Sequence, residues 1–157
     1  MSVVFYRIDD RLIHGQVMTA WSKLYKANKI IIVDNDTVKN DFLVQIMKMS
    51  APKEIDVKVC TNEEGLEAIL NDSPESRTIV LTKTPDIMLY LVENGAPMKE
   101  LNLGGMGYKA GRKMILRNIQ VNSEELDQLK KIASHDVHVF CQIVPDGKKI
   151  ELDKVKL

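Results

Sequence analysis

After two residues the chain reads Val3-Val4-Phe5-Tyr6-Arg7-Ile8-Asp9-Asp10-Arg11-Leu12-Ile13-His14-Gly15-Gln16-Val17-Met18-Thr19-Ala20-Trp21-Ser22-Lys23-Leu24. Residues 3–6 are β-formers and predict a strand, whereas apolar residues from Val17 to Leu24 recur at helical spacing. The segment 7–16 between them carries two aspartates, two arginines and a histidine. We therefore predict a charged connection at the carboxyl end of a first strand, which is where α/β folds bind ligands.

The same strand-then-helix pattern recurs along the chain as far as Gly95. Apolar or β-branched runs predict strands at 29–34, 55–60 and 78–82, and each is followed by a helical stripe. Ile55, Val57 and Val59 alternate with polar residues, which places that strand near an edge. The repeated alternation predicts an α/β fold with a doubly wound, mainly parallel open sheet flanked by helices.

The pattern changes after residue 99. A short strand at 100–103 is followed by a glycine-rich stretch, 104–111, which we predict to be a loop whose backbone N–H groups could approach an anion. Strand material at 113–121 is interrupted near Arg117-Asn118, and a last helix starts at Ser123. A strand at 137–144, a turn and a terminal strand at 149–152 predict a short antiparallel edge at the carboxyl terminus.

Length and charge narrow the class of protein. The chain has 157 residues, which predicts one domain over 1–157, and its 22 basic and 22 acidic side chains cancel, which argues against nucleic-acid binding. Cys60 and Cys141 lie in predicted strands, so a disulfide framework is not indicated. The sequence shows neither a secretory signal nor a run of ~20 apolar residues. We therefore expect a cytoplasmic protein that reaches a membrane only through partners.

The charged connection has the groups for phosphoryl chemistry. His14 should lie at the start of the helix, where unpaired N–H groups and the helix dipole favour an anion. Arg11 offers planar donors suited to phosphate oxygens. These two residues suggest a histidine that accepts a phosphoryl group. The structural alternative is that His14 only caps or packs against the helix and that Asp9, Asp10 and Arg11 form surface ion pairs.

Two segments resemble a known family. Residues 5–17, with Trp21 beyond them, resemble the active-site signature of the IIB component of the mannose/fructose/sorbose family of sugar phosphotransferase systems. Asn102-Leu103-Gly104-Gly105-Met106 resembles a second, glycine-containing segment of that family. The likeness extends over the whole chain, and its length suits a free-standing IIB domain of the sorbose type.

This resemblance implies a phosphorelay and gives each residue of the motif a role. A IIA partner would pass a phosphoryl group from its own phosphohistidine to Nδ1 of His14, and His14 would pass it to a sugar held by membrane IIC and IID partners. Arg11 would neutralise the phosphoryl oxygens, while Asp9 or Asp10 would hold the arginine or orient the ring. Gly15 and Gln16 would present donors at the helix start, and Gly104-Gly105 would border the site as a phosphate or partner loop.

The resemblance requires no metal or cofactor, and it leaves open which sugar is used and whether the chain forms a homo-oligomer. A histidine phosphatase or mutase is a rival, but its usual Arg-His-Gly triplet is absent because Ile13 precedes His14. A flavodoxin-like phosphate-binding module is another, although its loop should be rich in Ser, Thr and Gly. His135 and His138 are weaker candidates for chemistry, and their spacing matches no standard zinc motif.

Overall fold

The computed structural model describes residues 2–156. The strands are β1 (Val3–Asp9), β2 (Lys29–Val33), β3 (Asp56–Cys60), β4 (Thr78–Thr82), β5 (Glu100–Gly105), β6 (Lys113–Leu116), β7 (Ile119–Val121), β8 (His138–Cys141) and β9 (Ile150–Glu151). Seven of them form one sheet in the order β3-β2-β4-β1-β5-β8-β9, and β6 and β7 form a separate antiparallel pair. The pairs in the main sheet are parallel except β8 with β9.

Helices cover both faces of this sheet. They are α1 (Gly15–Tyr25), α2 (Asn35–Val38), α3 (Asp41–Ser50), α4 (Asn62–Leu70), α5 (Pro85–Glu93) and α6 (Ser123–Ala133), with a short 3-10 helix at Leu152–Lys154. Buried residues of α1 and α3 pack in one apolar cluster with Phe5, whereas those of α4, α5 and α6 pack in a second cluster with Ile8. The predicted doubly wound sheet with a short antiparallel edge is confirmed.

Burial in the strands follows the sequence pattern. Residues 30–33 of β2 and all five residues of β4 are buried, as expected for strands covered on both faces. β3 lies at the edge of the sheet, as its alternating pattern predicts. A capping box starts α4, because the Thr61 side chain accepts from the Glu64 N–H and the Glu64 side chain accepts from the Thr61 N–H.

Three strand ends differ from the sequence-based prediction by two or more residues. β1 continues to Asp9 instead of ending at Tyr6, because it is hydrogen-bonded to a parallel neighbour on each side. β5 continues through Gly104 and Gly105, so the prediction that these glycines begin a loop is wrong. β8 ends at Cys141 instead of Val144, and the carbonyl oxygens of the next two residues bond side chains of β1 and α1.

The carboxyl ends of β1 and β5 lie side by side. Asp9 is paired with Gly105, and the Asp10 N–H donates to the Gly105 carbonyl at 3.0 Å. A stack of Phe5 between Trp21 and Tyr25, with ring centroids 4.6 and 4.4 Å away, holds α1 against β1. Within residues 2–156, no helix combines the length and the apolar character needed to cross a bilayer.

Candidate functional site

One buried carboxylate connects the basic side chains at the end of β1. The Asp9 side chain is 1% exposed, and its Oδ2 lies 3.2 Å from His14 Nε2 and 3.1 Å from Arg7 Nη2. Its Oδ1 lies 3.3 Å from Arg11 Nε and also accepts from the Arg11 backbone N–H at 3.0 Å. Asp9 thus contacts a histidine and two arginines, and the sequence alone could not distinguish it from Asp10 in this respect.

The His14 side chain lies at the start of α1 without capping the helix. It occupies the N-cap position of α1 with extended backbone, yet its side chain makes no capping hydrogen bond. The ring is partly exposed (26%), and its Nε2 is used by Asp9. A neutral ring that donates from Nε2 keeps its lone pair on Nδ1. In that tautomer Nδ1 is the unprotonated ring nitrogen, and the alternative in which His14 caps α1 is excluded.

The backbone around His14 favours an anion. The first N–H groups of a helix have no partner within the helix, and Gly15–Met18, the first turn of α1, contains no acidic residue. Gly15 has φ +46°, a Cβ at this position would meet nothing within 4 Å, and Gln16 is exposed. Leu12 is buried at φ +58°, an uncommon conformation for a branched side chain. This loop therefore stores strain, as loops at functional sites often do.

Arg11 reaches from the same loop to the protein surface. Its side chain is 45% exposed, and its Nε donates to Asp9 Oδ1 at 3.3 Å. A guanidinium anchored at one nitrogen presents its remaining donors in a fixed plane, which suits phosphate oxygens. The role of Arg11 toward a phosphoryl group stays a prediction.

Arg7 is a site residue that the sequence motif did not single out. Its side chain is fully buried and donates to Asn102 Oδ1, to the Gln142 carbonyl (3.2 Å) and to the Ile143 carbonyl (3.1 Å), besides Asp9. Burial lowers the pKa of the Arg7 guanidinium, and the charge of Asp9 acts in the opposite direction. Since Phe5, Arg7 and Asp9 alternate along a strand, their shared face was the signal available from the sequence.

Gly104 and Gly105 lie directly against the side chains of Arg7 and Asp9. A Cβ on Gly104 would lie 2.0 Å from Arg7 Cζ, and one on Gly105 would lie 2.7 Å from Asp9 Oδ1. The register between β1 and β5 also shifts here, since Ile8 pairs with Leu103 and Asp9 pairs with Gly105. The two glycines therefore border the His14 loop, as expected. They do so as part of a strand and not as the predicted loop, and their lack of side chains leaves the space that Arg7 and Asp9 fill.

We expect Gly104→Ala to impair the site severely, because the methyl group needs space that the immobilised Arg7 occupies. Overpacking of this kind costs about 1–3 kcal/mol of unfolding free energy, and displacement of the site should slow its reaction on the order of a hundredfold. Gly107→Ala is the matched control, since its nearest neighbour is Asp10 Oδ2 at an ordinary 3.4 Å. Denaturant unfolding of both variants checks the first effect, and equal stability of the two would contradict the close packing.

Asp10 has a different task from Asp9. Its Oδ2 accepts from the Gly107 N–H at 2.7 Å, and the Gly107 carbonyl accepts from Arg112 Nη1 at 2.9 Å. Arg112 in turn forms a two-point ion pair with Glu125 at the start of α6, at 3.0 and 2.6 Å. Asp10 therefore ties the 107–112 loop to the His14 loop, and it makes no contact with the imidazole.

The other candidate residues lie elsewhere. His138 pairs with Glu100 at the amino ends of β8 and β5, opposite the carboxyl end that carries His14. The hydrogen bond with Glu151 raises the pKa of His138, and His135 is exposed after α6.

Burial raises the pKa of the Cys141 thiol to about 11, and Cys60 is buried as well. No group of three or more His, Cys, Asp or Glu residues in the described part of the chain could hold a metal ion.

Comparisons with known proteins agree over the full length of the chain. The family model described as the PTS system sorbose subfamily IIB component matches residues 3–157. The N-acetylgalactosamine-specific phosphotransferase enzyme IIB component 1 of Escherichia coli (strain K12) is 30% identical over 152 residues, and the match covers 96% of each chain.

A solved structure and a longer relative extend this similarity. The IIBSor domain of the sorbose permease from Klebsiella pneumoniae has a TM-score of 0.91 at 28% identity, with coverage of 98% of this chain and 96% of that one. The mannose-specific EIIAB component of Escherichia coli (strain K12) is 28% identical over 157 residues. That match covers 97% of this chain but 47% of the relative, which is therefore about twice as long.

Proposed function

This chain belongs to the sorbose subfamily of IIB components of the phosphotransferase system, and from that premise we propose that His14 is its phosphoryl acceptor. In the proposed cycle a IIA phosphohistidine gives its phosphoryl group to Nδ1 of His14, and His14 gives it to a sugar held by membrane IIC and IID partners. The observation that carries the proposal is the contact between His14 Nε2 and Asp9 Oδ2, because it directs the lone pair of the ring to Nδ1.

The two transfers balance as successive displacements. In the first, the Nδ1 lone pair attacks phosphorus and the N–P bond of the donor histidine breaks, so that the donor ring regains its lone pair. In the second, a sugar hydroxyl attacks phosphorus, the N–P bond to His14 breaks and the hydroxyl proton is released. An imidazole suits both steps because it titrates near neutral pH and is therefore available as a neutral nucleophile.

The rest of the loop supports transfer by electrostatics, on which phosphoryl transfer mainly depends. Arg11 would bind the phosphoryl oxygens through its terminal nitrogens, and Gly15 and Gln16 would add donors at the start of α1. Asp9 would hold both His14 and Arg11 in place. Gly104 and Gly105 would leave the space in which Arg7 and Asp9 pack. This chemistry needs no metal ion or cofactor.

The partners follow from the family. A mannose-specific relative that carries the name EIIAB matches this chain over part of its length, which supports a IIA domain as the donor. The membrane IIC and IID components would then hold the chain at the cytoplasmic face of the membrane. The relatives are named for different sugars, so the sugar is left unassigned.

The direct test is transfer of radiolabelled phosphate from a phosphorylated IIA protein of this family to the purified chain. We expect about one acid-labile, base-stable phosphate per chain. The label should return to added unphosphorylated IIA, because the transfer between two histidines is reversible. Failure to acquire label would contradict the proposal, and rapid release of inorganic phosphate would indicate the phosphatase instead.

We expect Arg11→Lys to slow transfer on the order of a hundredfold, because a lysine keeps the charge but loses the planar pair of donors. Stability should hardly change, since the Arg11 side chain is half exposed and such ion pairs contribute about 0–1 kcal/mol. Single-turnover transfer from phosphorylated IIA measures the rate. Lys109→Arg, on the exposed loop that follows Gly107, serves as the control. Transfer at the parental rate would remove Arg11 from the site.

A further inference from the structure

Arg7 is a buried cation that the proposed transfer does not use. Its side chain is fully buried, so it is shielded from solvent, unlike Arg11. A buried charge is unfavourable unless it is paired and hydrogen-bonded. Its position beside Asp9 therefore needs an explanation other than binding of the phosphoryl group.

A rigid socket holds the Arg7 guanidinium. Nη1 donates to Asn102 Oδ1, and Asn102 Nδ2 donates to the Gln142 carbonyl at 3.0 Å, so the amide is bonded on both sides. The guanidinium carbon lies over Gly104 and 5.4 Å from the centre of the Trp21 ring. Trp21 Nε1 donates to the Ile143 carbonyl at 3.0 Å, the same oxygen that accepts from Arg7. Both terminal nitrogens of Arg7 are thus hydrogen-bonded, whereas its buried Nε has no partner among the described residues.

This position balances the charge of Asp9. Arg7 Nη2 and His14 Nε2 both contact Asp9 Oδ2, at 3.1 and 3.2 Å. A buried carboxylate without a counter-charge would favour the positively charged form of a neighbouring histidine. That imidazolium carries protons on both nitrogens and has no lone pair with which to attack phosphorus.

We propose that Arg7, fixed by Asn102, is a positioning residue that balances Asp9 and thereby keeps Nδ1 of His14 unprotonated and reactive. This inference rests on the proposed function for its consequence in transfer. The protonation of His14 itself can be measured without any transfer. Asn102 thus has a role in the chemistry of a residue that it does not touch.

The charges around His14 are few in the described part of the chain. Arg7, Asp9 and Arg11 come from β1 and the loop after it, whereas β5 and the segment after β8 contribute Asn102 and two carbonyl oxygens. The first turn of α1 contributes no acidic residue. Asp10 is bonded to the Gly107 N–H, and beyond Gly107 the Arg112–Glu125 pair is internally neutral.

Asn102→Asp tests the inference with a change of almost no volume. The new carboxylate can still accept from Arg7 Nη1, but it competes with Asp9 for the same cation and adds one negative charge to the socket. The matched control is Asn40→Asp, which adds the same charge at the exposed N-cap of α3 and preserves the oxygen that accepts from the Leu43 N–H.

We expect Asn102→Asp to move the pH of half-maximal transfer upward by about one unit. Transfer should then be roughly tenfold slower than that of the parent at pH 6 and nearly equal at pH 9, because at high pH the ring is neutral in both proteins. Asn40→Asp should follow the parental profile. Equal slowing of Asn102→Asp at every pH would indicate a merely structural role and would overturn the inference.

Nitrogen-15 NMR of the His14 ring tests the same inference without a partner protein. We expect the parent at pH 7.5 to carry its proton on Nε2 with Nδ1 free, and Asn102→Asp to become protonated at both nitrogens at a higher pH than the parent. A parent ring with the proton on Nδ1, or an unchanged His14 titration in the variant, would overturn the inference. If Asn102→Asp does not fold, the position of the proton on the His14 ring in the parent spectrum tests the inference. Failure of the labelling test with these NMR results intact would refute the phosphocarrier function alone.

Discussion

His14→Gln should carry no phosphate after incubation with phosphorylated IIA, while its fold and stability stay close to those of the parent. Only the imidazole Nδ1 can form the proposed N–P bond, and the glutamine amide is not a nucleophile at neutral pH. Within residues 2–156 the His14 side chain hydrogen-bonds only to Asp9, and it does not cap α1. We therefore expect a change in unfolding free energy of less than about 1 kcal/mol.

The measurement is label incorporated per chain, and His135→Gln and His138→Gln serve as controls that remove the other two histidines of the sequence. Both controls should incorporate label as the parent does, because His138 lies at the opposite end of the parallel strands and His135 is exposed after α6. Label that persists in His14→Gln, or that disappears in either control, would show that another residue accepts the phosphoryl group.

Asp9→Asn should lose both stability and transfer. The variant removes the carboxylate that contacts three basic groups, and it leaves Arg7 buried without a counter-charge. Breaking a buried ion pair from one side costs about 3–5 kcal/mol. For a domain of this size that loss corresponds to a fall in melting temperature of about 10 °C. Transfer should also fall at temperatures at which the variant is still folded, because the Asp9 carboxylate no longer positions His14 and Arg11.

Asp10→Asn is the matched control for this prediction. An asparagine oxygen can still accept from the Gly107 N–H, so we expect a loss of about 1 kcal/mol or less and transfer near the parental rate. Thermal unfolding gives the stability of both variants, and single-turnover labelling at a temperature at which both are folded gives the rates. A larger loss of stability and transfer in Asp10→Asn than in Asp9→Asn would contradict the roles that the contacts suggest for the two aspartates.

The structure separates two adjacent aspartates that the sequence presents as equivalent. Successive side chains on a strand point to opposite faces, so Asp9, at the end of β1, shares a face with Arg7. Asp10 comes just beyond the strand and bonds the backbone of the 107–112 loop. Which residue falls within the strand depends on where β1 ends, and strand ends depend on neighbours that are distant in sequence.

The glycines show the same dependence on distant contacts. A run with Gly104, Gly105, Gly107 and Gly111 predicts a loop from composition alone, because glycine is depleted in strands. The first two nevertheless continue β5, since their missing side chains leave the space that Arg7 and Asp9 occupy. The need for glycine arises from the neighbouring strand, which the local sequence does not describe.

Hydrophobic periodicity determined much of this protein without a structure. It predicted the doubly wound sheet, the edge position of β3 and the antiparallel carboxyl edge, because burial imposes a local pattern on each element. The motif at 5–17 likewise placed His14 and Arg11 on one short loop. Only the tertiary structure decided that Asp9 holds both of them, that Arg7 is part of the site, and that Asn102 and the carbonyl oxygens of Gln142 and Ile143 surround it. These residues come from three segments about 40 to 135 positions apart, and only parallel pairing of β1, β5 and β8 brings them together.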